Sequence, residues 1–361
     1  MREIRRSIFI IALTLIAIGV VMLYSSSAIY AYERSGDAAF FLKKHLWFLL
    51  FGFILMLYTM SINLTEVGRS SRILMITAIL LLSAVLIPGV GTSVRGARRW
   101  FRIAGTLSFQ PSEFAKFAVI IYMASFVSRR GYRIKDLFQG YVPVISVVLL
   151  TSALVLLQPD FGTSVSIFFI GFLIIFVSGA KLKHLMTTAL LGIPFLYYLV
   201  FSVPYRRERI LIFLNPWRDK ESAGFQIVQS LLALGSGGLL GVGLGESKQK
   251  LFYLPEAHTD FIFSIIGEEL GFAGATCVVM LFAVFVWQGM RAFFKAERPF
   301  NKVLIFGITS MIGLEALVNI GVNTGVFPTK GLPLPFVSYG GSSLLFHMAA
   351  LGLLLNAMRE Q

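Results

Sequence analysis

Charge is what this 361-residue chain has least of. Only 14% of its residues are Asp, Glu, Lys or Arg, and acids are the scarcer kind, 18 against 32 basic residues. Soluble domains carry about 25% charged residues. A chain this poor in charge, with 57% hydrophobic residues, has lipid as its main solvent. Cysteine is almost missing: Cys277 has no partner in the chain, which excludes an intrachain disulfide scaffold. It lies in an apolar run, where a small buried or lipid-facing residue is the ordinary reading. The four histidines are scattered, and there is no H-E-x-x-H and no D-x-D, so no metal-site pattern is present. An internal repeat is missing too, as is any polar stretch large enough for a soluble domain. In such a chain the net charge of +14 reads as lysines and arginines along one membrane face, and no nucleic-acid partner is expected.

Apolar runs are what the chain has. A helix needs about 20 apolar residues to cross the hydrocarbon core, and ten segments qualify: 7–27, 45–62, 73–88, 113–128, 141–158, 162–180, 184–203, 271–294, 302–325 and 341–358. The first begins like a signal peptide but runs too long, without a clean small-residue cleavage site, and is expected to stay as a span. The predicted fold is an all-α polytopic membrane protein of about ten transmembrane helices, one domain over 1–361. Its large extracytoplasmic loop, 204–260, falls between helices 7 and 8, and shorter ones fall near 89–112 and 326–340.

Ten spans put both termini on one side. If that side is cytoplasmic, its segments carry Arg2, Arg5 and Arg6; Arg69 and Arg72; Arg129, Arg130, Arg133 and Lys135; Lys181 and Lys183; Arg291, Lys295, Arg298 and Lys302; and Arg359. The positive-inside tendency expects that bias. Two outer loops break it. The 204–260 loop has seven basic residues from Arg206 to Lys250, but long loops translocate regardless of charge. The 89–112 loop is short and holds Arg95, Arg98, Arg99 and Arg102. An anionic ligand on that face explains them better than headgroup contact by snorkelling side chains.

The outer segments also hold the unusual polar residues. Glu113 and Lys116 follow Pro111 and Ser112 at a helix start, three apart and so on one face. Facing lipid they would be costly, so a cavity is expected beside them. GVGLGESKQK lacks the G-K-[ST] ending of a phosphate loop, and its glycines suit close packing of a re-entrant or surface segment. LPEAHTDFIFSIIGEE, 254–269, gathers Glu256, Asp260, Glu268 and Glu269 beside His258. Glu256, His258 and Asp260 could share one pocket, where a carboxylate in half-apolar surroundings suits a general base. A solvated helix N-terminus is the competing reading of Asp260. PTKGLPLPFVSYGGSS, 328–343, has three prolines and three glycines in an irregular backbone that offers Lys330, Ser338 and Ser342. Such backbone is tolerated at membrane depth where it lines a cavity. Glu315, deep in an apolar helix, is a functional candidate by default, with a neutral hydrogen-bonded Glu as the alternative.

GARRWFRIAGTLSFQPSEFAK, NPWRDKESAGFQIVQS, LPEAHTDFIFSIIGEELG and PTKGLPLPFVSYGGSS, in that order, resemble the SEDS family of bacterial cell-wall proteins (shape, elongation, division and sporulation). The resemblance covers nearly the whole chain. NPW with GFQ, PEAHTDF and PTKGL are closer to the division and sporulation members, with the elongation member a close second. The resemblance implies a ten-helix glycosyltransferase that polymerises lipid II into glycan strands outside the cytoplasmic membrane. It implies Asp260 as the essential aspartate, and Glu113 and Lys116 as the acid and base of QPSE-x-x-K. Arg98, Arg99, Arg102, Glu256, His258, Lys330, Ser338 and Ser342 are the further substrate-binding candidates. Expected partners are lipid II, the undecaprenyl-diphosphate-linked glycan, a class B penicillin-binding protein and other membrane proteins of a division or elongation complex. No resident cofactor is expected, and a divalent cation at the pyrophosphate is left open. Two rivals stay in view: a transporter that flips lipid II, for which Glu315 is the main argument, and a scaffold that only recruits the penicillin-binding protein.

Overall fold

The computed structural model describes residues 1–94, 97–103, 107–219, 224–251 and 253–359. Its helices are α1 (Arg2–Ser35), α2 (Phe40–Ser61), α3 (Leu64–Ala84), α4 (Pro111–Arg130), α5 (Val142–Leu156), α6 (Phe161–Val177), α7 (Leu182–Phe201), α8 (Pro204–Leu214), α9 (Phe225–Ser236), α10 (Ile262–Lys295), α11 (Pro299–Asn323) and α12 (Gly341–Ala357). Each of the ten expected segments falls on one of α1 to α7 or α10 to α12. Among the described residues, seven helices are long and apolar enough to cross a membrane, α5 among them with the turn before it, Leu137–Leu156. Helices α6 and α12 have 17 residues each, close to the minimum for a 30 Å hydrocarbon core. Helix α4 is long enough but carries Glu113 and Lys116.

Local chemistry sets the ends. Asn63 caps α3 through Thr65 N at 2.9 Å, and Asp160 caps α6 through Thr163 N at 3.1 Å. Prolines occupy the first turns of α4, α8 and α11, where no intrahelical N–H is needed. The core forms where α4, α11 and α12 meet. Of the seven long spans, α11 is the most inward and α7 the least, with only His184 and Leu185 of α7 buried.

Three departures from a plain bundle shape one end of the molecule. First, residues 92–109 form a small antiparallel sheet, β1 (Thr92–Val94), β2 (Ala97–Ile103) and β3 (Leu107–Phe109), in the order β1-β2-β3. Arg98 pairs with Ser93, and Arg102 with Ser108. This adds a small sheet to the expected helices and loops: Trp100, Phe101 and Ile103 are of the types enriched in strands. Arg95 lies outside the described residues.

Second, α10 is broken at Gly271 (φ 69°, ψ −169°). The glycine-rich run satisfies the break: Val242 N and Gly243 N donate to the carbonyls of Glu268 (3.0 Å) and Glu269 (3.1 Å), while Phe272 N and Ala273 N donate to Gly238 (2.9 Å) and Leu239 (3.1 Å). The two carboxylates hold the run in place. Glu269 accepts from Lys250 Nζ and Ser25 Oγ, each at 2.7 Å, and Glu268 from Lys248 N at 3.0 Å and from the Ser247 hydroxyl.

Third, the segment after α11 turns back into the bundle. Leu332, Leu334, Phe336 and Val337 are buried. Gly19 of α1 lies so close to Phe336 and Val337 that a Cβ there would meet their backbone at 2.8 Å. Irregular backbone survives at such depth because protein, not lipid, surrounds it.

Candidate active site

Asp260 is held from behind. Its carbonyl accepts from Nδ2 of Asn319 (2.9 Å) and of Asn323 (3.0 Å), one turn apart on α11. Asn319 also donates to the Leu332 carbonyl at 2.7 Å, tying Asp260 to the returning segment. Asn323 Oδ1 accepts from Ser264 N (3.1 Å) and Oγ (2.6 Å) at the start of α10. Ser338 Oγ donates to the Thr259 carbonyl at 2.6 Å and accepts from Leu334 N at 2.8 Å. Tyr339 N donates to the His258 carbonyl at 3.0 Å. The Asp260 carboxylate lies against Gly331, where a Cβ would stand 2.7 Å from one of its oxygens. A side chain there would have to displace the carboxylate.

Three cations lie on this side of the bundle: Arg209 within electrostatic reach of Asp260, and Arg99 and Lys330 directed at Asp160. Arg209 of α8 donates to the Thr329 carbonyl at 2.7 Å and stacks on Tyr205 at 4.4 Å. Burial pulls its guanidinium down from the ordinary arginine value, Tyr205 and Asp260 pull it back, and Arg99 adds to the lowering. It stays charged, and it sits within electrostatic reach of both Asp260 and Arg99. Arg99 grips the turn before α6: Nε donates to the Gln158 carbonyl at 3.2 Å, Nη2 donates to the Pro159 carbonyl, and Nη1 stands 3.9 Å from Asp160 Oδ2. The Lys330 alkyl chain lies on Gly162. Burial pushes its ammonium down to about 8, opposed by Asp160 and Glu315 and reinforced by Lys116.

Beneath lies a buried ionic cluster. Lys116 Nζ is 2.9 Å from Glu113 Oε1 and is ion-paired with Glu315. His347 Nε2 is 2.6 Å from the other Glu315 oxygen. His347 Nδ1 lies 2.7 Å from the Ser343 carbonyl, which can only accept, so Nδ1 carries a proton. A second proton must sit between Nε2 and Glu315. With that proton counted, Glu113, Lys116, Glu315 and His347 sum to zero charge, which is how four ionisable groups can share a dry interior. Among the described residues, no three His, Cys, Asp or Glu side chains gather as a metal-holding group.

Residues 5–361 match the model of the FtsW/RodA/SpoVE family, described as cell cycle proteins. The chain belongs to this family. Among its relatives, a protein of Geobacter metallireducens named probable peptidoglycan glycosyltransferase FtsW is 43% identical over 97% of this chain and 93% of its own length. Stage V sporulation protein E of Bacillus subtilis is 44% identical over 97% of this chain and 95% of its own. Of solved structures, a chain from a study of how a peptidoglycan synthase complex coordinates polymerization and crosslinking has a TM-score of 0.80 at 31% identity, covering 98% of this chain and 97% of that one. The rod shape determining protein RodA of Thermus thermophilus has a TM-score of 0.71 at 26% identity, covering 98% and 96%.

Within this FtsW/RodA/SpoVE architecture the sequence candidates separate. Arg99 and Lys330 come together at Asp160, and Arg209 links Arg99 to Asp260. Arg98 and Arg102 do not join them: strand alternation sets them on the face of β2 opposite Arg99, and both are exposed. Glu256 and His258 have contacts of their own. Glu256 closes a turn, accepting from Thr259 Oγ1 at 3.1 Å. The His258 ring packs among Tyr30, Phe41 and Tyr339, with centroids 5.7, 4.8 and 5.9 Å away. Burial there lowers its proton affinity, with Glu256 opposing. Ser338 is committed to the loop as described, and Ser342 joins Ser108 O (3.0 Å) and Gln110 N (3.2 Å). Glu113 and Lys116 lie under the site, already neutralised by their partners. Sequence reasoning missed Asp160, Arg209, Asn319, Asn323 and His347. A signal existed for two of them: Glu315, Asn319 and Asn323 follow at four-residue steps in an otherwise apolar helix, one polar stripe.

Proposed function

We propose that this multi-pass membrane protein is a peptidoglycan glycosyltransferase that polymerises lipid II. One observation carries the reading: a carboxylate, Asp260, is fixed through its backbone at one end of an apolar bundle, within electrostatic reach of Arg209, which in turn reaches Arg99, and against Gly331, the neighbour of Lys330. That pairing of a base with cations is what transfer of a sugar from a diphosphate requires. The growing glycan on undecaprenyl diphosphate is the donor, and the sugar 4-hydroxyl of lipid II is the acceptor. Asp260 takes the hydroxyl proton as the oxygen attacks the anomeric carbon. The bond from that carbon to the diphosphate oxygen breaks in the same displacement, inverting α to β. Arg99, Arg209 and Lys330 meet the charge that develops on the leaving diphosphate.

We place the Asp260 end outside the cytoplasmic membrane and both termini inside. The inner loops then carry the basic pairs that the positive-inside tendency favours. The outer arginines that break the tendency include Arg99 and Arg209, both at the site. A class B penicillin-binding protein is the proposed partner, within a division or elongation complex. No step is routed through a metal, and the effect of EDTA on polymerisation tests that. Glu315, the residue that argued for a transporter, is ion-paired with Lys116 and His347.

Labelled lipid II supplied to the purified protein, alone and with its cognate penicillin-binding protein, tests the reading. Glycan ladders from the native chain and none from Asp260→Asn, with expression and lipid II binding intact, are expected. Ladders from the variant would remove Asp260 from the mechanism. Transfer of lipid II across vesicle bilayers without polymer would establish the transporter instead.

A further inference from the structure

The bundle end opposite Asp260 carries a second polar cavity, of about 710 Å³, where α3 and α11 begin and α4 ends. Helix α11 separates the two ends, running from Pro299 at this cavity to Asn323 at Asp260. Arginines from three segments line the cavity: Arg69 of α3, Arg129 of α4 and Arg298 ahead of α11. Glu66 in the first turn of α3 is taken up by Arg69 at 2.6 Å, and Arg298 follows Glu297 in the chain.

Arg129 is positioned from inside. Its Nη2 donates to the Gly68 carbonyl at 2.7 Å, an oxygen that also accepts from Ser71 Oγ (2.7 Å) and Ser125 Oγ (2.8 Å). The Phe300 ring covers Gly68, where a Cβ would stand 3.3 Å from it. One of five guanidinium N–H donors is thus anchored, and no carboxylate of the described residues pairs with Arg129. The C-terminus of α4 would by itself attract a cation. It would not turn that cation back onto α3, nor bring Arg298 to the same cavity.

We propose that this cavity binds a phosphate-bearing anion through Arg129 and Arg298. Guanidinium forks suit phosphate oxygens. Spanning helices start and stop at the headgroup level, so the phosphodiester of an anionic phospholipid lies at the right depth. A soluble phosphate would use the same contacts.

Native mass spectrometry of the full chain in neutral detergent tests this, with phosphatidylglycerol, phosphatidylcholine and inorganic pyrophosphate as probes. The assay contains no lipid II, so its outcome is independent of the glycosyltransferase reading. Phosphatidylglycerol should be retained over phosphatidylcholine, and about tenfold more weakly by the double variant Arg129→Gln/Arg298→Gln. Lys181→Gln/Lys183→Gln, two charges lost at the same end but outside the cavity, should bind as the native chain does. Ser128→Glu, which leaves every arginine in place, should weaken binding as the double variant does and guards against a folding defect. Arginine-dependent binding of pyrophosphate alone would keep the phosphate site and make its source soluble. Equal retention of both lipids, no loss in the cavity variants, or equal loss in the Lys181/Lys183 control would overturn the proposal.

Discussion

Lys330 shows how one residue's surroundings set a condition on the chemistry. Burial lowers its ammonium to about 8, so its charge is present below that pH and lost as pH rises through it. If that charge meets the diphosphate, kcat/KM, which reports the free enzyme, should fall as pH rises through about 8. Lys330→Arg should keep the rate to higher pH, because guanidinium does not titrate there. Lys330→Met should lower the rate about 10²- to 10³-fold, the usual loss when one group facing developing charge is removed. An unchanged alkaline limb in Lys330→Arg would assign that limb to another group.

At the scale of elements, the site depends on two helices that are unusual in different ways. Helix α11 supplies amides where its neighbours supply hydrocarbon. Asn323→Ala would take one donor from Asp260 O, which keeps Asn319, and one acceptor from Ser264 N, which keeps the Phe261 carbonyl at 3.1 Å. A loss of about 1 kcal/mol is expected for each hydrogen bond removed, read as a lower melting temperature in detergent, with kcat falling more than KM changes. Helix α10 needs its break. At Gly271 a side chain would sit in left-handed backbone and strike the Gly241 backbone. Gly271→Ala should lose roughly 1–3 kcal/mol from the backbone conformation alone, before any clash. A native melting curve for that variant would show that the run 238–243 can shift aside.

The whole molecule has a direction, and that direction is measurable. In a Cys277→Ser background, Asp37→Cys should react with a membrane-impermeant maleimide on intact cells, and Lys135→Cys only after the membrane is opened. Loss of the Asp37 ion pair with Lys43 should matter little, since both side chains are exposed. The reverse labelling pattern would put the Asp260 end in the cytoplasm, where a wall-building polymerase has no use for it.

Some of this was settled by the order of residues alone. Hydropathy is local, so the ten apolar helices were legible, as was the proline-led start of α4 at Pro111. The motif residues Asp260, Arg99 and Lys330 were legible because their neighbours in the chain are distinctive. What the fold decided involves distance along the chain. Lys116 meets Glu315 across 199 positions, and Asn323 holds Asp260 across 63; no local pattern announces either pair. Which arginine of RGARRWFR faces the site depended on whether that stretch became a strand, because a period of two, not of 3.6, sends Arg99 one way and Arg98 and Arg102 the other. Buried ions and amides need partners that can be brought only by packing, and so the partners were the part the tertiary structure had to supply.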